Sequence, residues 1–291
     1  MSQQPASIRF AQFFRDGFPL EIMPIRHHGA TGLHQHEFSE LVIVLSGTGI
    51  HRSPAGDYRI DAGDAFVLHG NQAHGYRDPE NLNLVNILFR MDELAIPLQD
   101  VASLPGYHAL FTLEPLYRER DRFESRLRLA PDELRHVSNT LERLIHEGRN
   151  HPPGWRFATM AGFMLLVTDL SRYYAGREER AAQPLLSLGR VIGHLEQHYN
   201  QPLTLDELAT LGCMSRRTLC REFHRALGCS PIEYLIRIRV NHAARLLQES
   251  AESVTEVAFQ VGFNDSNYFA RQFRALQGAS PRDFRRATVR S

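Results

Sequence analysis

Hydrophobic and polar positions follow two different patterns along the chain. From about residue 20 to 92, short alternating or β-branched apolar runs such as ELVIVLSG and NLVNILFR are separated by Gly, Pro, Asn and Asp. This pattern is typical of a small antiparallel β-barrel or sandwich. From about residue 131 the apolar residues recur at helical spacing, which predicts helices over 131–148 and 155–174. Beyond the polar stretch REERAAQP at 177–184, the remaining chain is helical in pattern throughout.

The first of these helices has a spacing that bears on oligomeric state. Its apolar residues Leu134, Val137, Leu141 and Leu144 repeat in heptad-like fashion over little more than one heptad. The spacing favours a dimerisation helix. The alternative is a helix pair that packs on the barrel as a lid and has no partner outside the chain.

The last hundred residues contain an internal repeat. GCSPIEYL at 228–235 and GASPRDFR at 278–285 begin alike, and the match continues upstream at offsets of fifty and then forty-nine. A single insertion or deletion between the copies belongs in a turn, so each copy is predicted to be helix, short turn, helix, over 204–227 and 253–277. Ser215 and its counterpart Asp265 are good N-caps for the second helix of each copy.

The second helix of each copy has a face suited to contacting DNA bases. Arg217 and Arg221 lie one helical turn apart, and their counterparts in the second copy are Asn267 and Arg271. Arginine can make two hydrogen bonds to guanine and asparagine two to adenine. Arg216 is placed to contact a phosphate. The alternative is a solvated helix face with no partner.

Charge along the chain supports a polyanionic partner for this region. Formal net charge is zero, yet residues 185–291 contain 14 Arg and 10 acidic residues, a local excess of +4. A long helix predicted from Pro231 to about Glu249 separates the two copies. It would hold the two base-contacting helices about 34 Å apart, one turn of duplex DNA.

The run VTEVAFQVGFNDSNYFARQFRALQGASPRDFR, preceded by RVNHAARLLQES, resembles the C-terminal signature of the AraC/XylS family of transcription regulators. The resemblance covers about 100 residues. It implies a seven-helix domain with two helix-turn-helix units, in which Arg217, Arg221, Asn267 and Arg271 contact bases. It also implies that the first helix of the second unit, with Glu256, touches the sigma subunit of RNA polymerase. The alternative role for Glu256 is a partner of the helix dipole.

A second constellation of polar residues lies in the strand-rich half. GLHQHEFSELVIVLSGTG contains His34, His36 and Glu40, and GDAFVLHGNQAHGY adds His74. This spacing resembles the two motifs of the cupin barrel, where such residues converge on one metal. Imidazole and carboxylate suit zinc, nickel or iron, so a divalent metal is one hypothesis and a metal-free pocket lining is the other. Four other histidines have no such spacing and are expected at the surface or the pocket edge: His27, His28, His51 and His69.

The phrases HEFSELVIVLSGTG and DYRIDAGDAFVLHGNQAHGY make this half similar to the sensor domains of bacterial L-rhamnose operon regulators. The resemblance implies a small effector, a sugar, bound by a pocket that includes His34, His36, Glu40, His74 and Tyr76. That role requires no cofactor. The alternatives are a cupin-type metalloenzyme that acts on a small sugar and a regulator of the same family that senses a non-sugar signal.

The predicted fold class is α+β, with an N-terminal cupin-like β-barrel and a C-terminal all-α domain. The predicted boundaries are a sensing barrel at 1–105, a helical dimerisation subdomain at 106–176, a linker at 177–184 and a DNA-binding domain at 185–291. We expect a dimeric transcription regulator, not an enzyme, that activates carbohydrate-use genes. Its expected partners are an operator duplex, a small effector, RNA polymerase and a second copy of the chain.

The N-terminal and cysteine patterns predict the location of the protein. MSQQPASIRF lacks the charged-then-apolar order of a secretion signal, and the longest apolar run, LVIVL, is too short to span a bilayer. The three cysteines lack metal-type spacing and are expected as reduced core residues. A cytoplasmic location without membrane association is expected.

Overall fold

The computed structural model describes residues 6–8, 13–14, 17–54, 56–94, 96–118 and 123–288. The chain forms two compact units that divide between Gly189 and Arg190. The first unit combines a sheet with helices and the second is helical, which confirms the predicted α+β class. No helix within the described ranges has the length and apolar character needed to cross a membrane.

One eight-stranded sheet forms the frame of the first unit. The strands occur in the order β1-β3-β7-β4-β6-β8, with β2 also paired to β7 and β5 also paired to β4. All pairs are antiparallel except β1 with β3. The strands are β1 (Ala6–Ile8), β2 (Leu20–Ile25), β3 (Thr31–His36), β4 (Ser39–Ser53), β5 (Gly56–Asp61), β6 (Asp64–Leu68), β7 (His74–Phe89) and β8 (Leu127–Arg128).

Two long strands give the sheet its barrel-like curvature. β4 and β7 pair along most of their length, with register shifts between residues 44 and 50 of β4. Before the shifts β4 also pairs with β6, and from Thr48 onward it pairs with β5. Gly47 lies at this bend with a φ of 76°, and a Cβ there would overlap the backbone of Asn81. A residue with a side chain is therefore disfavoured at this position, both by its dihedral angle and by the space available.

Helices lie on both sides of β8 in the chain of the first unit. A short α1 (Leu98–Val101) is followed by α2 (Pro105–Tyr107), a π-helical turn (His108–Leu113) and α3 (Glu114–Tyr117), which run on continuously. α4 (Pro131–Asn150) and α5 (Trp155–Ala175) confirm the helices predicted from spacing.

The heptad-like apolar positions of α4 face the chain itself. Val137, Leu141 and Leu144 are buried, and α4 packs against α5 and β2. The exposed positions of α4, such as Glu142 and Arg143, are polar. The apolar stripe of α4 is therefore used for packing within the chain.

The second unit is a set of helices in which the predicted repeat is visible. α6 (Gln183–Gln197) crosses the boundary between the units, and six helices follow. α9 begins and ends at the predicted residues, and α7–α8 and α10–α11 form the two helix-turn-helix units, so the seven-helix expectation is confirmed. The six are α7 (Leu205–Leu211), α8 (Arg216–Leu227), α9 (Pro231–Glu249), α10 (Val254–Gln260), α11 (Ser266–Gln277) and α12 (Pro281–Thr288).

The repeated Gly-x-Ser-Pro marks the end of one helix and the start of the next. Gly228 and Gly278 end α8 and α11 with φ angles of 67° and 77°, the left-handed conformation that glycine adopts most easily. Ser230 then caps α9 by accepting a hydrogen bond from the N–H of Glu233, and Pro231 occupies the first helical position.

Candidate functional site

The second helix of each helix-turn-helix unit, α8 or α11, presents its polar face to solvent because its apolar face is buried. In α8, Leu219 and Phe223 lie in the core, which leaves Arg217 and Arg221 exposed. The same relation holds in α11, where Phe269 and Phe273 are buried and the predicted base-contacting residues are exposed. The four predicted positions therefore lie on solvent-facing sides of equivalent helices. They are Arg217, Arg221, Asn267 and Arg271.

Caps and ion pairs hold the first of these helices in place. The hydroxyl of Ser215 accepts a hydrogen bond from the N–H of Thr218, as predicted. Arg216 forms a forked ion pair with Asp206 in the first turn of α7. This pair links the two helices of the unit, and the predicted phosphate contact of Arg216 would compete with it.

The second helix of the second helix-turn-helix unit, α11, is capped in the same way. The carboxylate of Asp265 accepts a hydrogen bond from the N–H of Tyr268, 2.5 Å away, which confirms the predicted cap. The guanidinium of Arg271 lies 5.7 Å from the ring centroid of Tyr268, within range of a cation–π contact. Arg271 is therefore oriented by a neighbour on its own helix.

Glu256 caps the start of α10. Its carboxylate accepts a hydrogen bond from the N–H of Ser253 at 2.7 Å, and its own N–H donates to the hydroxyl of Ser253 at 3.2 Å. This reciprocal pair is a capping box at the start of α10. The cap holds the pKa of Glu256 below its ordinary value through the hydrogen bonds with Ser253.

The barrel brings the predicted histidines and the glutamate together through strand register. β3 and β7 pair so that His34 lies opposite His74, and the ring centroids of these two residues are 4.3 Å apart. On the other side of β7, Tyr76 lies opposite His51 of β4. His36 at the end of β3 and Glu40 at the start of β4 complete the group.

Glu40 is the centre of the cluster. Its Oε2 atom lies 3.0 Å from Nε2 of His36 and 3.8 Å from Nε2 of His74. His36, Glu40 and His74 are all buried, and their potential ligand atoms lie within 4.8 Å of one another. The residue types and the burial of this group fit a divalent metal. The fourth predicted ligand, His34, is not part of the group, although its ring lies beside that of His74.

Burial and mutual charge shift the acidities of this group. Burial lowers the pKa of His74 to about 4, although the Glu40 carboxylate acts in the opposite direction. Burial alone would raise the pKa of Glu40, but the hydrogen bond with His36 and the nearby histidines lower it below the ordinary value. His74 is therefore a neutral imidazole beside an ionised carboxylate at neutral pH.

A cavity of about 210 Å³ opens next to this cluster. Among the predicted effector residues, His74 belongs to its lining, and Tyr76 lies behind it in ring contact with His51. The other side chains of the wall are polar and apolar in nearly equal number. They are His51, Ser53, Asn71, Gln72 and Arg118, together with Pro54, Leu68, Ala73 and Pro115.

His51 corrects the expectation from sequence. The sequence places it at the surface or the pocket edge, yet it is fully buried and belongs to the lining of the cavity. Neither ring nitrogen has a hydrogen-bond partner among the described residues. Burial, followed by the charge of Arg118, holds the pKa of His51 well below its ordinary value. A neutral, unpartnered imidazole at a cavity wall can donate one hydrogen bond and accept another.

Arg118 is another residue of the wall that the sequence did not indicate. Its guanidinium donates to both carboxylate oxygens of Glu114, at 3.1 and 2.6 Å, and to the carbonyl oxygen of Val67. It also lies 4.7 Å from the ring centroid of Phe123. The charge of Arg118 is thus balanced within the protein, so the wall of the cavity is polar and close to neutral.

Family models match residues in both compact units of the chain. The family model "AraC-like ligand binding domain" matches residues 25–149, and the model "Helix-turn-helix domain" matches residues 208–287. The first match covers the histidine cluster and the whole cavity wall. The second covers both recognition helices.

Relatives match over nearly the whole chain. The chain is 31% identical over 278 residues to the HTH-type transcriptional activator RhaS of Klebsiella pneumoniae strain 342, covering 94% of each chain. It is 29% identical over 257 residues to the HTH-type transcriptional activator RhaR of Escherichia coli K12, covering 87% of this chain and 86% of the relative. Among solved structures, the DNA-binding domain of AdpA in complex with a target DNA is 37% identical, covers 35% of this chain and 91% of that chain, and has a TM-score of 0.34.

Proposed function

The chain belongs to the AraC family of transcription regulators, and from this premise we propose that it activates transcription by contacting two successive major grooves of its operator in response to a small effector. Its matched domains and relatives are regulators rather than enzymes. The alternative of a cupin-type metalloenzyme therefore has no support from them.

The observation that carries the proposal is the duplicated recognition face. Each unit exposes two polar side chains at equivalent places on a capped helix whose other face is buried. A pair of arginines and an asparagine–arginine pair make different hydrogen bonds with bases. The two helices would therefore prefer different short sequences, one turn of DNA apart, and Arg216 would contact a phosphate at the edge of the first.

We propose that the effector is a sugar bound in the barrel cavity. Hydroxyl groups need several neutral donors and acceptors, and the wall offers the imidazole of His51 and the amides of Asn71 and Gln72. An acidic effector would need a free cation, whereas the guanidinium of Arg118 is already bound by Glu114. The resemblance of this half to the sensor domains of L-rhamnose operon regulators favours the same class of effector.

The mechanism follows from a shift between two arrangements of the protein. An effector favours one arrangement only as far as it binds that arrangement more tightly than the other. In this proposal the barrel favours an arrangement in which the recognition helices fit the operator, and binding of the sugar stabilises that arrangement. Neither step requires a cofactor.

We propose that a second copy of the chain packs on the outer face of α5. Phe157 is 83% exposed and Leu165 46% exposed on this helix, and Met160, Ala161 and Met164 lie on the same side at helical spacing. Apolar side chains in such a row are typical of helix–helix interfaces. The outer face of α4 is polar and lacks such a row. We therefore assign the proposed dimer interface to α5 and not to α4.

RNA polymerase is the remaining proposed partner. The exposed side of α10 carries Glu256 and the apolar Phe259, which is 54% exposed. A carboxylate beside an exposed aromatic ring suits a basic protein surface. Because Glu256 also caps the helix, its substitution would have to be compared with a change at Thr255, which is exposed on the same helix and takes no part in the cap.

The effector proposal can be tested by ligand-dependent stability. Full-length protein is heated with a panel of monosaccharides, sugar acids and aromatic acids, because a ligand that binds the folded state raises the melting temperature. We expect a neutral sugar to give the largest rise. A rise with aromatic or sugar acids alone would favour the regulator of a non-sugar signal.

The variant His51→Phe locates the binding site. The ring nitrogens of His51 have no partner among the described residues, so phenylalanine should preserve packing with Phe66 and Phe123 and leave the melting temperature of the free protein unchanged or higher. We expect it to abolish the rise caused by the sugar. His146→Phe, on the exposed side of α4, is the matched control, and equal rises in both variants would place the sugar elsewhere.

A further inference from the structure

We propose that the barrel of this protein binds one divalent transition-metal ion through Nε2 of His36, a carboxylate oxygen of Glu40 and Nε2 of His74. The three side chains come from β3, β4 and β7 and are all buried. Transcription regulation as proposed above needs no metal. The inference therefore rests on the geometry of this cluster and not on the family to which the chain belongs.

The second ring nitrogen of each histidine is already held by the backbone. Nδ1 of His36 lies 2.7 Å from the carbonyl oxygen of Phe38, and Nδ1 of His74 lies 3.0 Å from that of Gln72. A carbonyl oxygen only accepts hydrogen bonds, so Nδ1 carries a proton in both rings. In the neutral rings Nε2 is then a bare lone pair. Histidines that bind metals are oriented by this kind of bond in most proteins.

Both of these nitrogens face the same carboxylate oxygen. Oε2 of Glu40 lies 3.0 Å from Nε2 of His36 and 3.8 Å from Nε2 of His74. Lone pairs on nitrogen and oxygen repel each other unless a proton or a cation lies between them. A proton can bridge only one nitrogen–oxygen pair, whereas one metal ion accepts lone pairs from all three atoms. The arrangement of three ligands around one point therefore favours the ion.

The distances suit a single ion. Two ligand atoms about 2.1 Å from one zinc ion lie about 3.4 Å apart at the tetrahedral angle. The two measured separations, 3.0 and 3.8 Å, lie on either side of this value. Small rotations of the side chains would bring the three atoms to equal distance from one point.

A further observation points to a ligand at this place. Oε1 of Glu40 is buried and has no hydrogen-bond partner in the described part of the chain. Imidazole and carboxylate donors select zinc, nickel, cobalt or iron over magnesium and calcium.

The proposed ion would stand beside the effector cavity, because His74 belongs to both. Three protein ligands leave at least one coordination position for an oxygen donor. This link to the effector rests on the proposed function, whereas metal binding by the three side chains does not.

The test is metal binding by the full-length chain. Protein treated with EDTA is titrated with Co²⁺, whose visible absorption reports the ligands, and with Zn²⁺ by calorimetry. We expect one equivalent of either metal per chain and the absorption of a nitrogen–oxygen site. No bound metal after dialysis and no Co²⁺ absorption would overturn the proposal and leave a histidine–carboxylate ion pair as the account of this cluster.

Variants show whether the ion is in the barrel. Glu40→Gln removes the charge of the carboxylate at nearly constant volume, and His74→Gln removes a nitrogen ligand, so each should lower the affinity for Co²⁺ at least tenfold. The matched control is His194→Gln with His198→Gln, a pair whose rings lie 4.4 Å apart in α6 and just after it. Loss of metal in the control and not in the barrel variants would overturn the proposal.

Folding and function are followed separately in these experiments. If a barrel variant unfolds, the stoichiometry and the Co²⁺ absorption of the natural chain still decide the question. Operator binding by the metal-free protein tests the regulatory function independently. A chain that binds DNA but no metal would contradict the metal site alone, and a chain that binds metal but no DNA would contradict the regulator alone.

Discussion

His108 makes the stability of the first unit depend on pH. Its ring is buried, and its Nε2 donates a hydrogen bond to the carbonyl oxygen of Ala102 at 2.9 Å. Burial lowers the pKa of His108 to about 4, from an ordinary value of 6.5. Because the folded-state pKa is the lower one, the unfolded chain binds a proton first, and stability present above pH 6.5 is lost as pH falls towards 4.

The prediction is that His108→Gln weakens this pH dependence. Glutamine does not titrate, so the variant should lose up to roughly 3 kcal/mol less unfolding free energy than the natural chain between pH 7 and pH 4. Urea unfolding at both pH values measures the difference. An equal loss in the two proteins would show that His108 is not a source of acid sensitivity.

At the residue scale, local signals were found in the sequence and long-range ones were not. Ser215, Asp265 and Gly228 could be identified because caps depend on residue type and on a helix only a few positions away. His51 could not, because its burial depends on a strand of 15 residues that bends at Gly47 and pairs with β7. Arg118 follows the predicted barrel in the chain and reaches the cavity only through the path of α3.

At the scale of the elements, the outer face of one helix, α5, is the proposed dimer interface. The outer face of α5 carries Phe157 and Leu165, whereas α4 is polar at its exposed positions. Burying these apolar side chains against a second copy contributes on the order of 25 cal/mol per Å² of apolar surface. A charge at the centre of this face would oppose association.

We predict that Leu165→Arg turns the proposed dimer into a monomer. An arginine there would be buried without a partner in the interface, which costs several kcal/mol. Sedimentation velocity over a range of concentrations measures the change. Glu142→Arg on the outer face of α4 is the matched control and should remain a dimer. Dissociation by the control alone would assign the interface to α4.

Helix caps between the two recognition units are a second feature at this scale. Ser230→Ala removes the acceptor for the N–H of Glu233 at the start of α9 and should lower the unfolding free energy of the second unit by about 1 kcal/mol. Ser230→Gly should cost only a few tenths of a kcal/mol, since glycine is a fair N-cap. Thermal unfolding of the full chain, followed by helical circular dichroism, compares the two variants. Equal losses would argue against the cap.

Helices were predicted more fully than strands because their signals are local. Spacing and caps located α4, α5 and α9 to within a few residues. The number of strands in the barrel and their pairing order required the structure, because β4 and β7 each pair with several partners. The dimer helix could not be chosen from spacing, because an apolar stripe looks the same whether it packs on its own chain or on another.

At the scale of the whole molecule, one chain contains a proposed sensing unit and a DNA-binding unit. The predicted linker at 177–184 runs into α6, and the compact units divide between Gly189 and Arg190 within that helix. The composition of 177–184 identifies a polar stretch in the sequence. It does not show that the first turns of α6 belong to the first compact unit. The separation of sensing from DNA contact, by contrast, followed from the change in hydrophobic period and from the duplication.

The central claim is that one chain contacts two successive major grooves with different base preferences. It is tested most directly by selection of operator sites from random duplexes by the full-length protein, in parallel with Arg217→Ala and Asn267→Ala. The account predicts two short motifs about one helical turn, roughly 10.5 base pairs, apart. Each substitution should relax a different motif at a cost of ~1–3 kcal/mol. Selection of a single motif, or equal loss across all sequences with a uniform dependence on salt, would contradict it.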